Sequence, residues 1–437
     1  MSSKCGCQFK AIRIIDESRS YSCKDLIRLE TANEIWEGSN WKTYNNSLRI
    51  NPYVSLHEAY RKDSSSLFLP QNIPSIQRNR ILQAIQEYSN AIPKSSLAFV
   101  TSGSTGAPKV VIHKKETLVD SAQKIIDRFS KIKDMRFHNL FPGNFMAGIL
   151  NNGVLPWLAQ SEVYLDAVFD FKSPFDLADK SNRLGTQFAW LSPNMISSLN
   201  SAMKSNLKRV PNWDFVLSAT GPLSQQKGRE FRNFGIELQN TYGSTELLFL
   251  SGTTENGDSL SCGIPFDGVS IEIRNTNNLL KPSCGEVWVN SDTSPALELI
   301  FDPIENRYSA LEMKSGEFRN TQDIGYFNEN NLHLVSRSDD IVVLGGVNIS
   351  LAAFENLADQ YPGIIGSCAS APYGGSFSDL TIYFETGTDS EFDQEAFQNY
   401  VLNKFGVDES PRKFIKMKLP RTHHGKIDKA KLRGSNK

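Results

Sequence analysis

The chain has 437 residues, 39% hydrophobic and 22% charged, with 47 basic against 48 acidic residues and a net charge of −1. That balance excludes a broad field for nucleic acid or a membrane surface, and the length implies two or three cores rather than one. No run of 18 apolar residues occurs, so no bilayer span is expected.

Six cysteines (Cys5, Cys7, Cys23, Cys262, Cys284, Cys368) are scattered along the chain, and Met1 to Cys7 lacks the apolar segment of a secretory leader. The expectation is reduced thiols in a cytoplasmic protein. Cys5-Gly6-Cys7 has the look of half a metal site, but no second ligand pair lies nearby, so an incidental role is preferred.

Taken in order, Phe9 to Ile15 reads as a strand and Tyr21 to Ile27 as a helix start capped by Ser22. Residues 40–72 are polar and show no clear period. Ile76, Ile81, Leu82, Ile85 and Tyr88 then mark a helix over Ser75 to Ser89. Leu118, Ala122, Ile125, Ile126, Phe129 and Ile132 mark another over Thr117 to Ile132, with Thr117 a candidate cap. Phe188–Leu191 leads into a helix at Pro193, and Phe215–Ser218 into one at Ser224, with Ile236–Gln239 following. Short apolar strands alternating with amphipathic helices predict an α/β fold, a mostly parallel sheet covered on both faces, with ligands at the loops beyond the strand ends. Val269–Arg274, Gly285–Val289 and Leu332–Val335 predict a β-rich subdomain. Phe392 to Phe405 predicts a late helix ended by Gly406.

Between two of the strands runs Thr101-Ser102-Gly103-Ser104-Thr105-Gly106-Ala107-Pro108-Lys109. Its glycines allow successive N–H groups to aim at an anion, its hydroxyls add donors, and Lys109 adds a mobile positive charge. The spacing is not that of a P-loop, since Lys109 is followed by Val110. Composition alone leaves a phosphate cradle and a Ser/Gly surface turn equally open.

Three further strings carry chemistry. Thr241-Tyr242-Gly243-Ser244-Thr245-Glu246, expected in a loop after a strand, combines a stacking ring, a close-approach glycine, hydroxyls and one carboxylate suited to Mg2+ shared with phosphate oxygens. Asp323, with Arg337, offers a carboxylate for the hydroxyls of a ribose and a cation for the same ligand. Lys426 lies in Pro420-Arg421-Thr422-His423-His424-Gly425-Lys426-Ile427 and on charge alone is a solvated lysine.

Together and in this order, with Ser218-Ala219-Thr220-Gly221-Pro222-Leu223, Arg337-Ser338-Asp339-Asp340 and Gly346-Val347-Asn348-Ile349, these strings resemble the adenylate-forming superfamily of acyl-CoA synthetases, adenylation domains and beetle luciferases, over about residues 96 to 430. The resemblance implies a large N-terminal adenylation domain over 1–338 and a small mobile α+β domain over 339–437, with Asp339 at the hinge. It implies that Thr101–Lys109 holds the β- and γ-phosphates of ATP. Thr220, Gly221, Pro222 and Tyr242 would then form the adenine site, with Gly243 and Ser244 beside it. Thr245 would meet the α-phosphate, Glu246 the magnesium ion, and Asp323 with Arg337 the ribose. Lys426 would bridge the acyl carboxylate and the α-phosphate. Phe145 resembles the aromatic gate of the acyl pocket, with Met146, Gly243, Leu247 and Leu248 as further lining.

Departures are present. Gln322 stands where the family usually has glycine, Ala219-Thr220 where it has a glycine pair, and Leu351 and Ala353 where Pro and Glu are common. The stretch before the phosphate loop is shorter than usual for the family. The resulting expectation is a stand-alone, AMP-forming acid–thiol ligase acting on an apolar aryl or alkyl acid. CoA is the favoured acceptor, and a free acyl or peptidyl carrier protein is the alternative. A luciferase-like oxidoreductase and a non-catalytic nucleotide-binding relative are the other readings. The oligomeric state is left open.

Overall fold

The computed structural model describes residues 13–16, 19–22, 25–26, 34–37, 41–44 and 50–434, except 71–72, 103–107, 167–173, 206–208, 222, 224, 255–260, 275–283, 315, 345–346, 373, 388–391, 406–410 and 422–426. The expectations for Cys5, Cys7, Cys23 and Gly406 therefore lie outside the described residues.

The unorganised stretch contains a helix. Asn51–Lys62 (α1) starts with a proline in its first turn and buries Asn51 through Ala59 without a break, including His57 and Glu58. Polar Asn51, Ser55, His57 and Glu58 are buried beside Tyr53, Val54 and Leu56, so burial in this helix does not follow the apolar pattern that a sequence reading relies on. Ser96–Ser102 (β1) and Pro108–Lys114 (β2) form the antiparallel hairpin around the glycine-rich string, in register Thr101 opposite Lys109. Lys115–Arg128 (α2) follows at once. It opens at Lys114, not at Thr117, which lies inside its first turn. Leu118, Ala122, Ile125 and Ile126 make its buried stripe. Tyr21 and Ser22 close the strand Arg19–Ser22, while Asp25 and Leu26 are helical and Ser22 donates its N–H to Asp25 Oδ2 at 2.9 Å, so Ser22 sits at the helix start as expected.

Phe188–Leu191 (β3), Phe215–Ser218 (β4) and Glu237–Ser244 (β5) pair in parallel, with Pro193–Ser205 (α3) crossing between the first two. They sit in a nine-stranded sheet that continues through the antiparallel strand Leu248–Gly252 (β6). Side chains alternate between two cores. Phe188, Trp190, Phe215 and Leu217 face α2, while Ala189, Leu191, Val216 and Leu238 face Met195, Ile196 and Leu199 of α3. The expected parallel sheet covered on both faces is thus present, and the fold is a mixed α/β one.

A seven-stranded sheet holds β1 and β2 and takes Leu297–Asp302 (β7) against β2, with Val110 opposite Leu299 and Val111 opposite Glu298. Arg319–Asn328 (β8) and Asn331–Arg337 (β9) pair in a separate four-stranded antiparallel sheet, the expected β-rich part. Beyond Asp340 come a two-stranded and a three-stranded sheet and the helix Leu351–Ala358 (α4) around their own core of Leu344, Phe354, Phe384 and Phe397, with the helix Lys429–Gly434 (α5) on a separate small cluster. Among the described residues no helix is long and apolar enough to cross a membrane.

Candidate active site

The site is assembled on β2 by strand alternation. Val110 and Ile112 point into one hydrophobic cluster, so Lys109, Val111 and His113 share the other face. That face meets the turn Thr245–Leu247 joining β5 and β6. Lys109 forms an ion pair with Glu246, and its Nζ also lies 3.5 Å from Glu298 Oε2. Glu298 is reached because it sits diagonally across the β2–β7 pair. Glu298 is fully buried and takes both guanidinium NH2 groups of Arg319, one of them at 2.6 Å. Glu246, Lys109, Glu298 and Arg319 therefore form one continuous chain of alternating charge. Burial raises the Glu246 carboxyl, but the Lys109 ammonium more than reverses this, leaving the group below the ordinary glutamate range and ionised.

His113, fully buried, donates Nε2–H to the carbonyl of Thr245 at 2.8 Å. Its Nδ1 meets no partner among the described residues. Burial lowers its pKa to about 4, outweighing the Thr245 contact and the charges of Glu246 and Glu298. The ring is neutral and serves as a prop under the turn. Because the folded pKa lies below the ordinary 6.5, protonation favours the unfolded chain. Stability is complete above about pH 6.5 and falls as the pH drops towards about 4, by roughly 3 kcal/mol over the window. His113→Gln keeps a donor for Thr245 and is expected to flatten that part of the acid limb. Urea denaturation of both proteins at pH 7 and 4.5 checks it, and identical pH slopes would exclude the prop.

The second cluster lies on β5, β8 and β9. Tyr242 donates its hydroxyl to Asp323 Oδ2 at 2.5 Å. Arg337 reaches Asp323 Oδ1 at 3.3 Å, Asp339 at 3.1 Å and the Gln322 amide oxygen at 3.1 Å. Burial raises the Asp323 carboxyl above the usual range despite the Tyr242 and Arg337 contacts. Tyr242, Gly243 and Ser244 close β5, so that part of the string expected in a loop is a strand end, while Asp323 lies in the middle of β8. A β-bulge separates Tyr242 from Gly243. A Cβ at Gly243 would collide with the carbonyl oxygen of Leu248, so a larger residue there breaks the hairpin.

Three non-glycine residues at the site hold left-handed backbone: Thr220 (φ 76°), Leu248 (φ 58°) and Gln322 (φ 63°). Two of them are the departures noted above. Gln322→Gly relieves about 1–2 kcal/mol of strain and returns up to about 1 kcal/mol as unfolded-chain entropy. The variant is expected to melt at or slightly above the parent temperature despite losing the Arg337 contact. A clear fall in melting temperature would show that the side chain matters more than the strain.

Met146, Leu247 and Leu248 belong to one hydrophobic cluster, and Phe145 caps the short helix Met146–Ile149. Ser244 accepts from the N–H of Leu247 at 3.1 Å, shaping the turn. Gly221 follows β4 and faces Pro193, and Thr241 ties β5 to the carbonyl of Ser218 at 3.1 Å. Asp339 lies in a short 3-10 turn, Ser338–Asp340. Gly103, Ser104, Thr105, Gly106, Pro222 and Lys426 lie outside the described residues, as does the side chain of Ser102. Sequence reasoning missed Glu298, Arg319 and His113. The available signal was Glu298 between Leu297 and Leu299, a charge inside an otherwise apolar run.

A family model for AMP-binding enzymes matches residues 52–294. The chain is similar to 2-succinylbenzoate–CoA ligase of Lactococcus lactis, 27% identical over 250 residues, covering 56% of this chain and 51% of that protein. It is similar to indoleacetate–CoA ligase of Aromatoleum aromaticum, 26% identical over 272 residues, covering 60% and 52%. The match thus spans about half the length of these relatives. Among solved structures, the anthranilate CoA ligase AuaEII in complex with anthranoyl-AMP superposes with a TM-score of 0.78 at 15% identity, covering 97% of this chain and 94% of that one.

Proposed function

The chain belongs to the AMP-binding enzyme family, and from that premise we propose that it condenses a small apolar carboxylic acid with ATP to an acyl-AMP and passes the acyl group to a thiol. One observation carries this reading. β5 with the turn that follows it, and the strand β8, each contribute to both charge clusters. Arg319 of the first cluster and Asp323 of the second lie four residues apart on β8, on either side of the left-handed Gln322 and a register shift against the neighbouring strand. Two polar clusters at that separation suit a triphosphate at one end and a ribose at the other.

Lys109 neutralises phosphate charge, Asp323 and Arg337 hold the ribose, and Tyr242 lies along the base. Thr245 contacts the α-phosphate. Glu246 fits a magnesium ion: it is ionised, it faces the proposed phosphate site, and among the described residues no group of three His, Cys, Asp or Glu forms an all-protein cage. When bound, the ion offsets phosphate charge. Lys426 bridges the acyl carboxylate and the α-phosphate, where two anions must approach. The carboxylate oxygen bonds to the α-phosphorus, pyrophosphate leaves, and a thiol then displaces AMP from the acyl carbon. Residues 339–437 swing about Asp339 between the two steps. Phe145, Met146, Gly243, Leu247 and Leu248 border the acyl group. Two similar ligases are named for aromatic acids, so an aryl acid is the first choice, with CoA as acceptor ahead of a carrier protein.

Acid-dependent ATP–pyrophosphate exchange across a panel of aryl and alkyl acids tests the reading. Exchange with no acid at all in the panel would overturn it. Thioester formation with CoA against a phosphopantetheinylated carrier protein then decides the acceptor.

A further inference from the structure

The terminal helix α5 has six residues and lies near the end of the chain, too short to hold its own shape. Its apolar anchor is Leu432, packed with Cys368 and Leu419. What fixes it is a ring of four charges. Lys429 Nζ lies 2.6 Å from Glu355 Oε2 and 3.3 Å from Asp340 Oδ2. Arg433 lies 2.5 Å from Asp340 Oδ1 and 3.2 Å from Glu355 Oε1. Each cation meets both carboxylates, and each carboxylate meets both cations. Arg433 also donates Nε–H to the carbonyl of Ala369 at 3.1 Å, and the Ala369 N–H donates to Glu355 at 3.0 Å. Asp340 and Glu355 are both buried.

The position of this ring matters. Asp340 directly follows Asp339, and Lys429 stands three residues after Lys426. Lys429 and Arg433 are four apart and share one helix face. A slip of one residue turns that face by about 100° and takes both cations off the carboxylates. Buried ion pairs contribute little net stability against apolar packing of the same shape, but they do impose register.

We propose that Lys429 and Arg433 are positioning residues, which with Asp340 and Glu355 clamp the helix that follows Lys426 in the chain to the residue beside the hinge. The lysine then moves with the hinge as one body. This rests on the role proposed for Lys426.

The test uses full-length Lys429→Met and Arg433→Lys. Expected for Lys429→Met is a fall of at least tenfold in the rate of acyl-AMP formation, with KM for ATP and thioester formation from supplied acyl-AMP each within twofold of the parent. Arg433→Lys, which keeps the charge and loses the fork, is expected to fall between the two. Hydrogen exchange of the amides of residues 427–434 should quicken in Lys429→Met while β3 to β5 stay protected. Equal loss of both half-reactions, or a change in KM alone, overturns the positioning role. An unchanged exchange pattern overturns the clamp itself. If the parent enzyme shows no acid-dependent exchange, the functional reading and the positioning role fall together, while amide exchange still reports on the clamp.

Discussion

Glu298→Ala is expected to destabilise the protein by about 3–5 kcal/mol. Glu298 is fully buried in β7, takes a two-pronged contact from Arg319 and lies 3.5 Å from Lys109. Its removal leaves Arg319 without its carboxylate and strips Lys109 of one of two. A buried pair need not stabilise a fold relative to apolar packing, yet removing one partner strands the other in a poor solvent for charge. Glu298→Gln keeps the shape and one acceptor oxygen, so its loss should be smaller. Urea denaturation with an unchanged slope measures both. A loss below about 1 kcal/mol for the alanine variant would mean that water enters the cluster and solvates Arg319.

The second large effect is on turnover. Glu246→Gln is expected to lower acyl-AMP formation by about 10²–10³-fold with little change in stability. The side chain is about a quarter exposed, and Lys109 keeps Glu298, so nothing is stranded when the charge is lost. The turn is held independently by the Ser244 contact with Leu247 and by His113 beneath Thr245. A neutral amide cannot share a divalent cation with phosphate oxygens as a carboxylate does. The fall should appear in kcat more than in the KM for the acid. Activity within fivefold of the parent would remove Glu246 from the reaction.

Much of the architecture was legible because it rests on period and composition. β3, β4 and the helix Pro193–Ser205 carry apolar residues at the spacing each element needs, and the hairpin around residues 103–107 was marked by flanking apolar runs. α1 was not legible, because it buries Asn51, Ser55, His57 and Glu58 together with its apolar residues, so composition does not mark its inner face. Thr241–Glu246 read as a loop, and Asp323 was assigned to no element, because glycine and polar neighbours signal turns. In the structure a β-bulge and left-handed backbone at Gln322 accommodate those neighbours inside strands. Lys109 and Glu246 were singled out, but not their pairing through Glu298 to Arg319. That chain of charge joins positions 109, 246, 298 and 319, and no local pattern encodes partners so far apart.

The pairing of β7 with β2 bears on how this protein is made. Lys109 emerges from the ribosome almost 190 residues before the strand that completes its surroundings. Until Leu297–Asp302 arrives, the β1–β2 hairpin presents β2 as an open edge of Val110, Val111 and Ile112, a surface prone to pairing with other chains. A non-local closure of this kind is slow, since a long loop must be ordered before its contacts form. Nascent chains that stop short of residue 297 should therefore depend on chaperones, and the Lys109–Glu246–Glu298 cluster can form only after β7 has emerged.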